Sequence, residues 1–590
     1  MKDPLSYYKE HVELYRQEVK HLQKQILSLS MLRLIVFLTT VFLLYMIFGH
    51  WQIMVPIAIV GIAVFLFLLS RYTEVKRLQR FNKALVNINE EELKIASGNF
   101  HHRDKGIQFQ EANHFYSLDI DLFGRGSFFQ FINRTTIAEG TEQLANILKA
   151  NRIDDIILRQ EAIKELSEKP KWRQYFSATS SMVHVETPAK SIIDWLKNYK
   201  SFLPKIMAWL PICFGVLSVI IIMLAVFKLM PNPLVVGYWL IIGLGITGKY
   251  LKKINVLSAN ADKIRDTFRQ HALLLDLIEN ENFTSTLLKQ KRQQIQLEEE
   301  RASQIFKKLS KALDALDNRN NLFGAIFGNG YFLTDLKHSY TIEQWIKYYG
   351  HKVKDWFEVV AFFDAYNTLG NYAYNHPNFI YPEIKEEGPV IKAEALGHPL
   401  LDKAKRIDSN LTIENEQFFI VTGANMAGKS TFLRTVSLHI VMANVGLPVC
   451  AKYSEYIPVK LITSMRTTDS LIDDSSYFFS ELTRLKYIVD VIAKEPYFIV
   501  LDEILKGTNS TDKAIGSRKF VEKLVASNAT GIIATHDLSL CEIEQELAEV
   551  KNYYFDVEII NDELHFDYKL KQGVCQNMNA SFLLKKMNIV

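Results

Sequence analysis

A glycine-rich run in the last third of the chain has a spacing that suits phosphate binding. Residues 423–431 read Gly, four residues, then Gly-Lys-Ser, an arrangement that wraps backbone amides around phosphates. Lys429 would place a charge on the outer phosphates, and the Ser430 hydroxyl would be a ligand for Mg²⁺. Apolar residues 418–421 predict a buried strand before the run, and helical spacing predicts a helix after it. The predicted nucleotide contacts are Gly423, Ala424, Asn425, Met426, Ala427, Gly428, Lys429, Ser430 and Thr431.

Two further strand ends carry the residues that hydrolysis of a bound nucleotide requires. Asp502 and Glu503 follow a continuous apolar run, which would put Asp502 near Mg²⁺ and Glu503 near the attacking water, as its general base or orienting group. His536 follows a second apolar run and would touch the γ-phosphate. An isolated histidine of this kind is more often a core residue, so its place among the other motifs decides the interpretation. With Lys429, these residues predict an ATP- and Mg²⁺-dependent ATPase.

Four apolar stretches predict helices that cross a membrane as two hairpins. The first pair covers residues 33–48 and 52–70, and the second covers about 206–227 and 234–248, split by 231–233. Each is apolar enough to cross a hydrocarbon layer roughly 30 Å thick as a helix. The alternative for each stretch is a buried core helix.

The charges beside these stretches predict the orientation of the chain. Both hairpin tips are almost uncharged, Lys228 excepted, whereas the flanks are basic, which by the positive-inside rule makes every flank cytoplasmic. We therefore expect an integral protein of a cytoplasmic or inner membrane, with its N-terminus, core and ATPase part in the cytoplasm. A cleavable signal peptide is not predicted, because about thirty mostly polar residues precede the first stretch. The basic flanking residues are Lys20, Lys24, Arg71, Lys76, Arg77, Arg80, Lys200, Lys205, Lys249, Lys252 and Lys253.

The amino-acid composition agrees with a chain that has both membrane-spanning and water-exposed parts. The hydrophobic fraction is 48% beside 23% charged residues, and the four stretches account for that excess. A net charge of +4 excludes a globally basic nucleic-acid-binding chain, so any basic patch would be local. The four cysteines are scattered without metal-ligand spacing, which favours reduced thiols.

The motifs of the last third resemble those of the MutS family of mismatch-repair and recombination ATPases. Residues 422–431, with Asn-Met inside the loop, are similar to the family sequence TGPNMGGKST, and residues 502–510 are similar to DEIGRGTST. Residues 534–536 match the family's final ATH, and residues 476–481 lie where it has STFMVE. The resemblance implies that Ser476 contacts the nucleotide of a partner subunit across a dimer.

The resemblance extends upstream with weaker motifs. Residues 126–140 resemble the start of the family's core domain, and His398-Pro399 resembles its junction with the ATPase. We expect no amino-terminal mismatch-reading domain, because too few residues precede the core. Residues 109–111 match the Phe-x-Glu sequence of the wedge by which that domain intercalates at a mismatch, and we interpret the match as chance. Residues 406–410 lie where members of the family often have an aromatic residue that stacks on the adenine base. We therefore expect a membrane-anchored member that lacks mismatch recognition.

The resulting fold prediction is an α/β P-loop domain of the ABC superfamily and MutS type, preceded by an all-α core with two transmembrane hairpins. The stretch 255–320 predicts a lever or coiled-coil-like arm, with a solvated bundle helix as the alternative. The predicted parts are an amphipathic helix at 1–30, hairpin one at 31–72, core at 73–200, hairpin two at 204–250, lever and core helices at 251–390, and the ATPase domain at 391–590.

The functional prediction is a homodimeric ATPase with two composite ATP sites, anchored in the lipid bilayer by four helices and coupled to DNA for mismatch repair or recombination. Two alternatives stay open. One is an ATP-driven membrane transporter or mechanotransducer that does not act on DNA, and the other is a scaffold that only binds nucleotide. The DNA prediction rests on the family and on basic residues of the arm, for which pairing with Glu298–Glu300 is the alternative. Those basic residues are Lys289, Lys291, Arg292, Arg301, Lys307 and Lys308.

Overall fold

The structure is a computed structural model that describes residues 3–185, 187–229, 232–296, 300–317, 321, 323–466, 477–506, 508–560 and 563–576. Within these residues the helices are α1 Pro4–Met46, α2 Trp51–Ala96, α3 Phe128–Ile132, α4 Ala138–Lys149, α5 Ile156–Ser167, α6 Pro170–Ser181, α7 Ala189–Asn198, α8 Leu210–Val226, α9 Leu234–Gly248, α10 Leu251–Asn280, α11 Thr286–Gln293, α12 Ala302–Asp317, α13 Asn329–Phe332, α14 Thr334–Tyr349, α15 Val353–Asn375, α16 Lys429–Val445, α17 Tyr477–Ile492 and α18 Ser510–Ala526. The strands are β1 Glu383–Ile384, β2 Ile391–Leu396, β3 Ser409–Ile413, β4 Phe418–Gly423, β5 Tyr453–Tyr456, β6 Lys460–Ser464, β7 Tyr497–Asp502, β8 Thr530–Ala534, β9 Val550–Ile560 and β10 Glu563–Gln572.

The N-terminal polar segment and the first apolar stretch form one continuous helix, α1. Its first turn is capped by the Asp3 carboxylate, which accepts a hydrogen bond from the Ser6 amide at 3.0 Å. Tyr8 and Tyr15 are buried on one face, the spacing expected of an amphipathic helix. Residues 47–50 separate α1 from α2, close to the predicted hairpin tip.

Two helices of the described residues, α1 and α2, are long and apolar enough to cross a membrane, rather than the four predicted. The second predicted hairpin corresponds to α8 and α9, which have 17 and 15 residues. At 1.5 Å per residue these reach roughly 25 and 22 Å, less than a hydrocarbon core of about 30 Å. If α9 and α10, which meet at a 68° bend, are taken as one broken span, the number rises to three. The arrangement as two transmembrane hairpins is therefore not confirmed.

An apolar segment that the sequence analysis did not single out packs against this second pair. It covers residues 323–332 and contains a π-helical turn followed by α13. The Ser218 hydroxyl of α8 donates to the Tyr331 carbonyl at 2.6 Å. A Cβ atom on Gly243 of α9 would lie 2.1 Å from the Gly330 carbonyl oxygen, so this close backbone approach requires glycine. The segment therefore extends the apolar surface of α8 and α9.

The stretch expected to form a lever arm folds back on itself. Helices α10, α11 and α12 replace one continuous helix, and α10 runs antiparallel to α12. Arg265 of α10 pairs with Asp317 at the far end of α12 at 2.6 Å, while Glu279 accepts from the Ser303 amide at 3.1 Å. Bundle helices, the second of the two interpretations, describe this region.

The C-terminal part is an α/β domain with a six-stranded sheet in the order β10-β9-β4-β8-β7-β6. All neighbours are parallel except the edge pair β9 and β10, which confirms the α/β class predicted for this part. The adjacent strands β4, β8 and β7 end at Gly423, Ala534 and Asp502. Because the carboxyl ends of parallel strands share one edge, the predicted chemical residues lie together there. A smaller sheet, β1-β5-β2-β3, presents the connection from β2 to β3 to the same edge.

Candidate functional site

The turn between β4 and α16 has the geometry of a phosphate-binding loop. Gly428 precedes α16 with φ 107°, and Gly423 has φ 148°, backbone angles that favour glycine. A Cβ atom on Gly423 would also lie 2.8 Å from the Phe555 carbonyl oxygen. The loop leads directly into the first turn of α16, whose free amides and dipole favour anions.

Lys429 is folded against this loop and is almost fully buried. Its Nζ atom donates to the Gly423 carbonyl at 2.7 Å and to the Ala424 carbonyl at 3.1 Å. Burial lowers the pKa of Lys429, and the charges of the nearby Asp502 and Glu503 carboxylates only partly offset this effect. An anionic phosphate at the loop would supply the missing counter-charge.

Two oxygen ligands suited to Mg²⁺ meet beside the loop. The Ser430 hydroxyl donates to Asp502 Oδ2 at 2.7 Å, which joins the start of α16 to the end of β7. A hydroxyl, a carboxylate and phosphate oxygens are the hard ligands that Mg²⁺ prefers. The described residues contain no group of three His, Cys, Asp or Glu that would hold a metal by protein side chains alone. This pair therefore fits a magnesium ion that is shared with a nucleotide.

Glu503 and His536 stand opposite each other at the mouth of the same site. The distance from Glu503 Oε1 to His536 Nε2 is 3.3 Å, and His536 Nε2 also lies 3.2 Å from Lys429 Nζ. Burial, and then the Lys429 charge, lower the pKa of His536, so at neutral pH the ring is uncharged and Nε2 accepts from the ammonium group. The Lys506 ammonium lies 3.6 Å from Glu503 Oε2. The Glu503 carboxyl group therefore lies between the His536 ring and the Lys506 ammonium group.

A buried carboxylate holds the loop that carries Glu503. Glu481 of α17 accepts the Leu505 amide at 2.6 Å and the Lys506 amide at 3.0 Å. Both Glu503 (φ 49°) and Leu505 (φ 58°) have left-handed backbones, which cost non-glycine residues energy. Glu481 thus stabilises a strained loop, although the sequence analysis recorded it only as the end of the 476–481 motif.

The residues described above line one open cavity of about 680 Å³. Every predicted loop residue from Ala424 to Thr431 lines it, as do Asp502, Glu503 and His536. Gly423 lies behind the loop and contributes its carbonyl to Lys429. Ser476 lies outside the described residues.

Several residues of the cavity wall were not assigned to the nucleotide from the motifs. Ile407 falls within the predicted 406–410 position but is aliphatic. Phenyl and phenol rings in the cavity wall come from Phe432 on α16, Phe555 on β9 and Tyr568 on β10. Tyr568 is partly exposed, and its Cδ1 atom lies 3.2 Å from the position of a Cβ on Gly428. Only the pairing of β9 with β10 brings this ring to the loop, and no local motif marks it. The remaining apolar and basic wall consists of Leu396, His398, Leu401 and Lys405.

The helix that starts at the loop is fixed to the all-α core. Arg434 of α16 pairs with Asp121 at 3.0 Å. Arg159 of α5 donates to the Asn444 carbonyl at the other end of α16 at 2.8 Å. Because both ends of α16 contact the core, a shift at the phosphate loop would be transmitted to the core helices.

Comparison with known proteins identifies this part of the chain. Residues 419–585 match the family model described as MutS domain V. The chain contains a MutS domain V. The MutS protein homolog 4 of Homo sapiens is 34% identical over 194 residues, which are 31% of this chain and 20% of that protein. The DNA mismatch repair protein MutS of Methanococcoides burtonii is 32% identical over 219 residues, which are 36% of this chain and 24% of that protein.

A third relative matches over a longer part of the chain. The DNA mismatch repair protein MutS of Thermotoga maritima is 26% identical over 326 residues, or 54% of this chain and 36% of that protein. Across these three relatives the chain thus covers between a fifth and about a third of the relative's length. The family model itself covers residues 419–585 of this chain.

Proposed function

We propose that this chain is a membrane-anchored ATPase of the MutS type, which binds ATP with Mg²⁺ and hydrolyses it at the cavity beside residues 423–431. The observation that carries this proposal is the convergence of four side chains from three strand ends on one cavity: Lys429, Asp502, Glu503 and His536. Fold resemblance alone would not supply this arrangement, because function resides in the site.

Each of these side chains has a distinct part in hydrolysis. The loop amides and Lys429 bind the β- and γ-phosphates, and the ammonium exchanges its loop carbonyls for phosphate oxygens. Glu503 accepts a proton from the attacking water, or orients it in line with the γ-phosphate. His536 is neutral beside Lys429 and contacts the γ-phosphate. Ser430 and Asp502 would hold Mg²⁺, which supplies charge neutralisation for the phosphates.

The proposed active form is a homodimer with two composite ATP sites. Large apolar side chains are exposed in the C-terminal α/β domain: Met426 in the phosphate loop, Phe479 on α17 and Ile515 on α18. Exposed apolar groups of this kind favour a protein partner. Closure of the dimer on ATP would bury them and bring Ser476 of one subunit to the nucleotide of the other.

Coupling to DNA is the part of the proposal taken from relatives, whose names include DNA mismatch repair protein MutS and MutS protein homolog 4. Three of the basic residues expected to bind DNA have local partners. Lys308 pairs with Glu300 at 2.6 Å, Arg301 donates to Asn280 at 2.8 Å, and Arg292 donates to the Glu281 carbonyl. DNA contact at this surface would therefore have to compete with existing partners.

Anchoring in a bilayer is supported by the exposed apolar surface. Phe42, Phe67 and Val226 are more than half exposed on α1, α2 and α8, a distribution that water disfavours and hydrocarbon stabilises. The apolar segment 323–332 adds Phe323 and Phe327 to this surface. We propose that all these elements contact lipid, including α8 and α9 despite their short length.

An ATP-driven membrane mechanotransducer that does not act on DNA is the second candidate. It is favoured by the continuity of α2, which runs without a break from its apolar half to Glu92 in the core. It is also favoured by the local hydrogen bonds and ion pairs of Arg292, Arg301 and Lys308, which leave these groups less available to DNA. In this case the motion of α16 would pass through the Arg434–Asp121 and Arg159 contacts to the membrane helices.

ATP turnover of the full chain in nanodiscs distinguishes the two candidates. It would be measured without DNA and with linear, mismatched and four-way-junction DNA, at two salt concentrations because phosphate contacts are salt-dependent. The matched control is Lys429→Ala, which removes the phosphate-binding charge. Stimulation by one DNA form would support the DNA-coupled ATPase. Lys429-dependent turnover that no DNA changes would support the membrane candidate, and absence of Lys429-dependent turnover would refute both.

A further inference from the structure

A second cavity lies where the all-α core meets α16, at the opposite end of that helix from the phosphate loop. It has a volume of about 390 Å³ and is lined by residues of α4, α5, α11, α15 and α16 and of the connection from α4 to α5. We call it the junction cavity. The charged side chains of its wall are Arg152, Arg159, Lys291 and Asp155. Three cations face one carboxylate, so the junction cavity has an excess of positive charge.

Arg159 is a buried guanidinium group with one nitrogen atom that a ligand can reach. It is 7% exposed, and its Nε and Nη2 atoms donate to the Asn444 carbonyl at 3.1 and 2.8 Å. Its Nη1 atom makes no hydrogen bond with the described residues, and it is not among the buried polar atoms that lack accessible surface. Because Arg159 lines the junction cavity, Nη1 is a donor available to a ligand there.

Tyr366 of α15 offers a second donor in the same wall. It is 4% exposed, and its hydroxyl group also keeps accessible surface without a hydrogen bond to the described residues. Burial raises the pKa of Tyr366 to about 12, and the charges of Arg159 and Arg152 act against this rise. The hydroxyl group therefore lies within electrostatic reach of both guanidinium groups without being hydrogen-bonded to either.

Lys291 of α11 lies close to the same tyrosine. The ring of Tyr366 stacks on the ring of Phe362 with 4.0 Å between the centroids, and Lys291 Nζ lies 5.4 Å from the Phe362 centroid. Among the described residues, Lys291 Nζ donates to Gln294 at 3.4 Å and has no carboxylate partner. The Lys291 ammonium group thus lies beside the ring pair that carries the Tyr366 hydroxyl.

The N-terminus of α5 borders the junction cavity and is uncapped. The helix has 12 residues, and the side chain of Asp155, its N-cap residue, makes no capping hydrogen bond. The amides of Ile156, Ile157 and Leu158 have no acceptor among the described residues. Asp155 and Leu158 both line the cavity, and the Asp155 carboxylate lies 3.4 Å from Arg152 Nη2, which offsets its charge. Free amides at a helix N-terminus favour a bound anion.

We infer that the junction cavity binds a small ligand that carries a phosphate or carboxylate group. The anionic oxygens accept from Arg159 Nη1 and from the Tyr366 hydroxyl. The charge of Lys291 and the N-terminus of α5 stabilise the same anion, and the rest of the ligand packs against the Phe362 ring. Because α16 forms part of the wall and begins at the phosphate loop, the bound ligand joins the core to the proposed ATPase. The inference does not depend on ATP hydrolysis.

Binding would be measured on the full chain in nanodiscs by isothermal titration with inorganic phosphate and, separately, with succinate. Sodium chloride at matched ionic strength is the blank, and the Lys429→Ala background removes the competing phosphate site. We expect saturable binding with one site per chain. Saturation by phosphate alone would assign a phosphorylated ligand, saturation by succinate alone a carboxylate, and saturation by both a site that accepts either group. No saturable heat with either anion above the blank would overturn the inference, and the junction cavity would then hold water.

Two conservative variants locate the bound anion. Tyr366→Phe removes one donor and keeps the ring, and Lys291→Gln removes one charge. We expect each to weaken anion binding about tenfold, the usual effect of losing one interaction with a charged group. Thermal unfolding without anion checks that each variant is folded.

Matched controls are Tyr348→Phe on α14 and Lys289→Gln on α11, whose side chains are exposed and do not line the junction cavity. Both should leave the affinity for the anion unchanged. Anion binding that neither Tyr366→Phe nor Lys291→Gln weakens would place the bound ion elsewhere and contradict the inference.

Discussion

Glu481 offers a test of how the catalytic loop is held. Its carboxylate accepts two backbone amides at 2.6 and 3.0 Å, and burial raises its pKa. The substitution Glu481→Gln has nearly the same shape but keeps only one acceptor oxygen. The amide of either Leu505 or Lys506 is then left facing an NH₂ group in a buried position.

The size of the effect follows from the strain of this loop. The left-handed backbones of Glu503 and Leu505 cost about 1–2 kcal/mol each, so the loop needs both hydrogen bonds to keep its geometry. Loss of one acceptor for a buried amide costs about 1–3 kcal/mol. That cost lowers the equilibrium ratio of this loop conformation to its alternatives by about 5- to 150-fold, since 1.4 kcal/mol is roughly a factor of ten.

The assay is steady-state ATP turnover together with equilibrium binding of ATP. We expect kcat of Glu481→Gln to fall within that range, while affinity for ATP changes by less than about threefold, because the phosphate loop is not touched. Glu522→Gln on α18, where the carboxylate pairs with Arg518 near the surface, is the control and should be silent. An unchanged kcat, or an equal loss of ATP affinity, would refute this account of the loop.

Four further outcomes are expected. Gly428→Ala should weaken ATP binding by roughly tenfold in an equilibrium titration, because φ 107° is strained for alanine. Tyr568→Ala should weaken binding of ATP and of inorganic triphosphate to a similar extent, because the ring lies against Gly428 of the phosphate loop; a loss confined to ATP would contradict this placement. The acid limb of the turnover profile should lie below pH 6.5, because the pKa of His536 is lowered from that value and the neutral ring persists until the pH falls through the lowered pKa; a midpoint above 6.5 would contradict this. A fluorophore attached at Phe327 in nanodiscs should be quenched by nitroxides on the lipid acyl chains, whereas one at the exposed Lys494 should not; equal quenching would argue against lipid contact.

The proposed nucleotide site was predictable because its residues are local in sequence and lie at strand ends. An apolar run followed by a turn with fixed glycines is enough to predict β4, the loop and α16, and the structure has them at Phe418–Gly423 and Lys429–Val445. The same reasoning places Asp502 and His536 at one edge, because parallel strands share their carboxyl ends.

The remaining parts depended on pairings that no local pattern contains. Tyr568 reaches the cavity through the antiparallel pairing of β10 with β9. The break after α10 could have been predicted from residues 282–285, which include residue types that favour turns and helix N-caps. The many charged residues of the whole stretch instead favoured the prediction of a continuous arm.

The most direct test of the proposed ATPase is phosphate release after rapid mixing of ATP with the full chain in nanodiscs, for the natural sequence and for Glu503→Gln. Glu503 does not contact the phosphate loop in its described hydrogen bonds and ion pairs, so the variant should bind ATP normally. The account predicts that its phosphate release is slower by roughly 10²-fold or more, the usual contribution of a general base. Equal rates of release by the two proteins would contradict the assignment of Glu503 and of this cavity as the site of hydrolysis.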